Sequence, residues 1–132
     1  MKVLRVLLLV HESLVPTEAL LTPEERRASS AKTEYDIYHN LKAMGHEVKV
    51  VGVYDDLTAI KAAVASFKPQ VAFNLLEEFA GQSVLDQNVV SYLELLGVPY
   101  TGCNPRGLIL ARDKGLTKEI LSYHQILVPK FA

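Results

Sequence analysis

Residues 3–10 read Val3-Leu4-Arg5-Val6-Leu7-Leu8-Leu9-Val10, and the fold turns on this stretch. The run is almost continuously aliphatic and carries β-branched residues. Apolar–polar alternation would mark a strand with one wet face. Continuity instead marks a strand covered on both faces, as in the centre of a parallel sheet. The segment superficially mimics a secretory leader, but Arg5 interrupts it and no small-x-small cleavage site precedes His11-Glu12. Nothing approaches the ~20 apolar residues that a membrane-spanning helix requires. The cytoplasm is therefore the expected location, with no membrane partner.

Outward from this strand, apolar segments alternate in type. After a polar, proline-bearing stretch (residues 11–22), Thr22-Pro23-Glu24-Glu25 predicts a helix start: Thr22 as N-cap, Pro23 in the first helical position, Glu25 completing a capping box. Ile37, Leu41 and Met44 follow at helical spacing, with Gly45 as the stop. His46 to Val53 predicts a second strand. Ile60, Ala63, Val64 and Phe67 mark a helix ended before Pro69, and Val71 to Leu75 a third strand. Beyond a loop over residues 76–82, Ser83 is the expected cap of a helix turning Leu85, Val89, Leu93 and Leu96 inward. Val98 to Thr101 predicts a fourth strand. Asn104-Pro105 opens a short helix, and Asp113 caps another bearing Leu116, Ile120 and Tyr123. Strands alternating with helices through short loops predict right-handed crossovers. The expected fold class is α/β, a small doubly wound parallel sheet of about four strands flanked by helices.

At 132 residues the chain has the size of one domain, and its 49% hydrophobic content is ample for a core. A net charge of −1 with interspersed signs leaves no basic stripe for a phosphate backbone, so no nucleic-acid partner is expected. Cys103, the single cysteine, cannot form an intramolecular disulfide, which fits a reducing compartment. The closing segment, Ile126 to Ala132, is apolar and strand-like, with nothing after it to bury it. The expectation is that the chain stops where a further domain begins; an edge strand or frayed tail is the alternative. Exposed apolar surface there is also a basis for homodimerisation.

Ligands in open parallel sheets bind outside the carboxyl ends of the strands, so the loops after each strand are the candidate site. The first turn, His11-Glu12-Ser13-Leu14, carries neither a dinucleotide fingerprint nor a P-loop. The third strand ends in Asn74 rather than an aspartate, which disfavours a receiver domain. His11, His39, His46 and His124 lack metal-ligand spacing, and these histidines and Cys103 read as structural or surface residues. Three features remain. Glu12, directly after the first strand, is placed to meet a ligand's ammonium group or to be a solvated loop acid. Asn74 and Glu77 end the third strand as candidate substrate contacts, though Asn74 equally suits hydrogen bonding to its own loop. Lys114 opens a helix, where a cation opposes the dipole, and so hints at an anionic partner.

The stretch Leu93-Glu94-Leu95-Leu96-Gly97-Val98-Pro99-Tyr100-Thr101-Gly102 resembles the L-E-L-x-G-[IVL]-P-Y-T-G segment of D-alanine–D-alanine ligases. Asp113-Lys114 with Thr117-Lys118 resembles that family's D-K-x-x-[ST]-K, and Leu127-Val128-Pro129 its [LV]-P element entering the next domain. The resemblance implies a Rossmann-like pre-ATP-grasp domain over residues 1–125, with 126–132 starting the connection to an ATP-grasp domain. It further implies an ATP-dependent carboxylate–amine ligase: Mg-ATP phosphorylates one carboxylate, and an amine attacks the acyl phosphate. ATP and Mg would be held mostly by domains beyond this segment, which alone would be inactive, and amino acids or other small carboxylates and amines would be substrates. Lys114 matches the lysine that reaches the nucleotide phosphates. The family's first-turn glutamate has no direct counterpart, since both glycines of that turn are missing; Glu12 or Glu18 would substitute. The glycine-rich H-G-x-x-G-E-D-G loop is replaced by Asn74-Leu75-Leu76-Glu77-Glu78-Phe79-Ala80-Gly81. A stand-alone, non-catalytic small-ligand-binding or interaction module on the same scaffold is the alternative.

Overall fold

The computed structural model describes residues 2–130. Three parallel strands, β1 (Arg5–His11), β2 (Glu47–Val53) and β3 (Val71–Asn74), lie in the order β2-β1-β3. The continuous aliphatic run is thus the central strand, and Leu7, Leu8, Leu9 and Val10 are each 0% exposed. Successive side chains of a strand point to opposite faces. Leu7 and Leu9 accordingly enter one core with Ile60 and Ala63 of α3 (Thr58–Phe67) and Val89 and Leu93 of α4 (Asp86–Leu95). Leu8 and Val10 enter a second with Tyr38 of α2 (Lys32–Ala43). Arg5 keeps its charge outside these layers and ties the strand's start to α3, its Nε donating to the carbonyl oxygens of Phe67 (3.1 Å) and Lys68 (2.9 Å).

The predicted capping box forms. Thr22 Oγ1 accepts from the Glu25 amide and Glu25 returns the bond to Thr22, opening α1 (Pro23–Ala28). The helix does not continue to Gly45, however. Ser29 is extended, and α2 restarts at Lys32 with its register reset. The buried residues of α2 are consequently Glu34, Tyr35 and Tyr38, whereas Met44, expected inward, is exposed. Arg26 Nε meets Asp36 Oδ1 at 2.5 Å across the break and holds the Asp36 carboxyl below the usual carboxylate range.

Ser83 is not a helix cap. It begins a 3-10 turn (Ser83–Leu85) ahead of α4. The expected fourth strand is reduced to one parallel bridge, Ala72 to Tyr100. Proline has no amide hydrogen, so Pro99 cannot extend a ladder. The next amide of β3, that of Asn74, donates to the Thr101 side chain (3.1 Å) instead of to a strand. Asn104 and Asp113 cap α5 (Pro105–Arg112) and α6 (Lys114–Tyr123) as expected, accepting from the amides of Gly107 and Leu116. The inward face expected of α6 is not buried: Leu116, Ile120 and Tyr123 are 40%, 38% and 84% exposed. Residues 126–130 form no strand, and Phe131 and Ala132, the end of the expected connection, lie outside the described residues.

Two expected outcomes follow from this packing. A Cβ on Gly52 of β2 would lie 2.9 Å from Val15 Cγ2 and 3.0 Å from Glu12 Cα, so the turn after β1 is pressed onto β2. Gly52→Ala should destabilise the chain by about 1–3 kcal/mol, the usual cost of overpacking, read as a lowered urea midpoint. An unchanged midpoint would show that the turn is slack. At the other edge, the Tyr100 hydroxyl donates to Glu94 Oε1 at 2.6 Å, and that bond pushes the phenol up to about 12. The folded state therefore favours the protonated phenol. Its contribution is complete below the unfolded value, about 10, and is lost as pH rises through about 12. Tyr100→Phe should flatten stability between those two pH values, and an alkaline limb identical to the parent's would dismiss the bond.

Candidate functional site

The order β2-β1-β3 makes the chain reverse direction across the sheet, since β2 and β3 flank β1 on opposite sides. The crossover α2 packs on one face and α3 on the other. Such a switch point leaves a crevice outside the carboxyl ends of the strands between which the order reverses. A cavity of about 440 Å³ lies there, lined by His11, Ser13 and Leu14 after β1, by Leu75, Glu77 and Glu78 after β3, and by Thr33 and Glu34 from α2.

His11, the last residue of β1, organises one wall. Its Nδ1 lies 2.7 Å from Ser13 Oγ, its Nε2 3.4 Å from Glu78 Oε1, and its ring stands edge-on to Tyr54. The opposite loop is fixed from below. Asn74 Oδ1 accepts from the Leu76 amide (3.2 Å), closing the turn that sends Glu77 and Glu78 to the cavity. Further on, Ala80 and Gly81 both adopt positive φ in the hairpin turn bridging Phe79 to Gln82, and the Ala80 amide is held by the Tyr54 carbonyl (2.7 Å). Arg112 of α5 anchors the loop from outside. It donates to Asp86 Oδ2 from Nη2 (2.6 Å) and Nε (3.2 Å), and to the Glu77 carbonyl (3.0 Å).

No family model matches the chain. Individual relatives do. Over 109 residues, 83% of the chain, it is 32% identical to a D-alanine–D-alanine ligase of Moorella thermoacetica, of which it covers 33%. Over 101 residues it is 35% identical to one from Gluconobacter oxydans, covering 76% of the chain and 32% of that protein. The chain belongs to the D-alanine–D-alanine ligase family. It spans about a third of the length of the curated relatives it matches. The fold agrees: a solved D-alanine–D-alanine ligase of Bacillus anthracis complexed with ATP superposes with a TM-score of 0.65 over 98% of this chain and 38% of that one, at 20% identity.

Against this family background, the residues singled out in the sequence are dispersed. Glu77 lines the cavity; Glu12 is exposed on the 3-10 turn after β1 and is not among the lining residues. Glu18 borders a different cavity with Tyr38 and Lys49. Asn74 spends its side chain on its own loop. Lys114 is exposed at the first position of α6 and lines a separate cavity of about 390 Å³ with Val84, Ile109, Arg112 and Asp113. Three cavity residues escaped the sequence reading. His11 reads from the sequence as a structural or surface histidine, Glu78 stands beside Glu77 with no motif of its own, and Glu34 sits on a helix without a sequence signal. The other histidines keep structural or surface roles: His46 is buried with Nδ1 accepting from the Leu4 amide (3.3 Å), His39 packs on Tyr35, and His124 on Tyr123. No helix among the described residues is long and apolar enough to cross a membrane.

The Asp86–Arg112 pair has a measurable role. Asp86 is 4% exposed and Arg112 41%. Removing one partner of a fully buried pair costs 3–5 kcal/mol; with half of this pair in solvent, about 2 kcal/mol is expected for Arg112→Met. Adding Asp86→Leu should restore most of that loss, because no charge is then stranded. If the double variant is as unstable as the single one in urea unfolding, the deficit comes from the loop anchor to Glu77 and not from the charge.

Proposed function

We propose that the chain is the N-terminal, substrate-binding portion of an ATP-dependent carboxylate–amine ligase acting through an acyl phosphate in the cytoplasm. The observation that carries this reading is the family identity across 83% of the chain, joined to a cavity at the switch point of the sheet. In this arrangement the chain contributes two things. The β1 and β3 loops hold a small carboxylate- or amine-bearing substrate. Lys114 meets the nucleotide phosphates, its exposed ammonium standing at the positive end of α6, where anions are favoured. ATP supplies the phosphoryl group that activates a substrate carboxylate. Residues 126–130 lead from α6 toward an ATP-grasp portion, which would cover the exposed apolar face of Leu116 and Ile120.

No group of three or more histidine, cysteine, aspartate or glutamate side chains among the described residues is arranged to hold a metal ion. The reading assigns this segment substrate and phosphate contacts and leaves the magnesium ligands to the further domains.

The reading is tested on protein expressed from the whole reading frame. A continuation of about 180 residues, the size of the further domains a ligase needs, should give amino-acid-dependent ADP release. A stop codon directly after Ala132 would favour the non-catalytic module. In the continued protein, Lys114→Ala should raise the apparent KM for ATP at least about tenfold, the weight of one lost charge-assisted contact, with the melting temperature unchanged. An unaltered KM and kcat would return Lys114 to the surface.

A further inference from the structure

The two ends of the Asp86–Arg112 pair sit in very different surroundings. Asp86, the first residue of α4, is 3% exposed, and its Oδ2 takes both bonds from Arg112. Arg112, the last residue of α5, keeps 41% of its side chain in solvent and lines the cavity of about 390 Å³ beside Lys114.

A guanidinium carries five N–H donors in one plane, one on Nε and two on each terminal nitrogen. In Arg112, Nε donates to Asp86 Oδ2, and Nη2 donates to Asp86 Oδ2 and to the Glu77 carbonyl. Those contacts fix the plane of the group. Nη1 hydrogen bonds to no protein atom among the described residues, so one edge of the fork is left unclaimed. The rest of the lining favours an anion there. Val84 and Ile109 are apolar, Lys114 adds a second cation, and the positive end of α6 opens at the same place. Asp113 is the acid of the lining, and its Oδ1 is committed to the Leu116 amide as the cap of α6. A guanidinium already oriented by a buried carboxylate gives up little freedom when it meets phosphate oxygens, whereas a lysine ammonium on a free stem gives up more.

We propose that Arg112 is a second phosphate-binding residue of this cavity, presenting its Nη1 edge to the phosphate that Lys114 meets. The proposal rests on the ligase reading, in which Lys114 stands alone against the nucleotide, and it adds a residue to that same site. The family resemblance does not supply it, because the D-K-x-x-[ST]-K segment begins at Asp113, one residue after Arg112. One structural consequence follows. Arg112 also holds the Glu77 carbonyl, so the phosphate contact and the loop after β3 are joined through a single side chain.

The test is a nuclear magnetic resonance titration of the 132-residue chain with inorganic triphosphate, which carries the phosphate chemistry without a nucleoside. The Arg112 Nε–H resonance and the Lys114 amide should shift together along one saturating curve. Combining Asp86→Leu with Arg112→Met removes the guanidinium without stranding a charge, and should weaken triphosphate at least about tenfold, the weight of one lost hydrogen bond between charged groups. An Nε–H resonance that stays still while Lys114 moves, an unchanged affinity in the folded double variant, or a folded chain that ignores triphosphate would each overturn the proposal. The resonance is read on the parent chain, so the outcome is decided even if the double variant does not fold. The two readings fail separately. Triphosphate binding that depends on Arg112, beside a whole reading frame inert toward ATP, sinks the ligase reading alone. ATP-dependent turnover whose KM for ATP rises in Lys114→Ala and not in the double variant sinks the Arg112 proposal alone.

Discussion

Everything in this molecule depends on one strand being dry on both sides. Four consecutive residues of β1 have no solvent exposure, and they alternate between two cores built from different helices. Burying a single leucine or valine side chain is worth roughly 1.5–3 kcal/mol, so this short run supplies a large share of a net stability that for a domain is about 5–15 kcal/mol. The geometric consequence matters more than the energy. A strand covered on both faces must have a crossover helix on each, and two right-handed crossovers on opposite faces require the strand order to reverse at β1. The ligand-sized cavity lies at that reversal. Its position is therefore a by-product of the packing of Leu7 to Val10.

The same strand explains which parts of the structure could be read from the residues. Its continuity is a one-dimensional signal, as are the capping box at Thr22 and Glu25 and the caps at Asn104 and Asp113, and all of these form. What the sequence concealed depends on contacts between distant segments. Val98 to Thr101 has strand-like residues, but pairing fails after one bridge because Pro99 offers no amide hydrogen and Thr101 answers Asn74 with its side chain. The extended backbone at Ser29 resets the register of α2, and that shift buries Glu34, Tyr35 and Tyr38 while leaving Met44 in solvent. Glu34 enters the cavity only through this reset, so helical periodicity traced from Thr22 could not find it.

The candidate site also divides by how it is held. The β1 wall is rigid because its turn is pressed against Gly52, with no room for even one methyl group. The β3 wall is a loop, and it is pinned at three points: Asn74 at its base, the Tyr54 carbonyl at Ala80, and Arg112 at the Glu77 carbonyl. The last of these couples cavity shape to the Asp86–Arg112 pair, and hence to the packing of α4 against α5. Residues that the family resemblance ranks as substrate contacts and residues that shape the cavity are thus largely different sets here. Asn74 belongs to the second.

Family membership and cavity chemistry then constrain one another. The L-E-L-x-G-[IVL]-P-Y-T-G-like and D-K-like segments run through the end of α4, the edge bridge and the start of α6, away from the cavity lining. The loops after β1 and β3, where the family carries glycine-rich turns, here carry His11, Glu77 and Glu78. A glycine-rich turn brings backbone amides close to a ligand and favours anionic groups; side-chain carboxylates in the same place favour cations. The segments that match the family and the cavity loops that depart from it can therefore vary independently, because separate stretches of chain build the two. The cavity is built by two loops and one helix turn, while Lys114, the residue proposed to meet phosphate, stands on α6 against a different cavity.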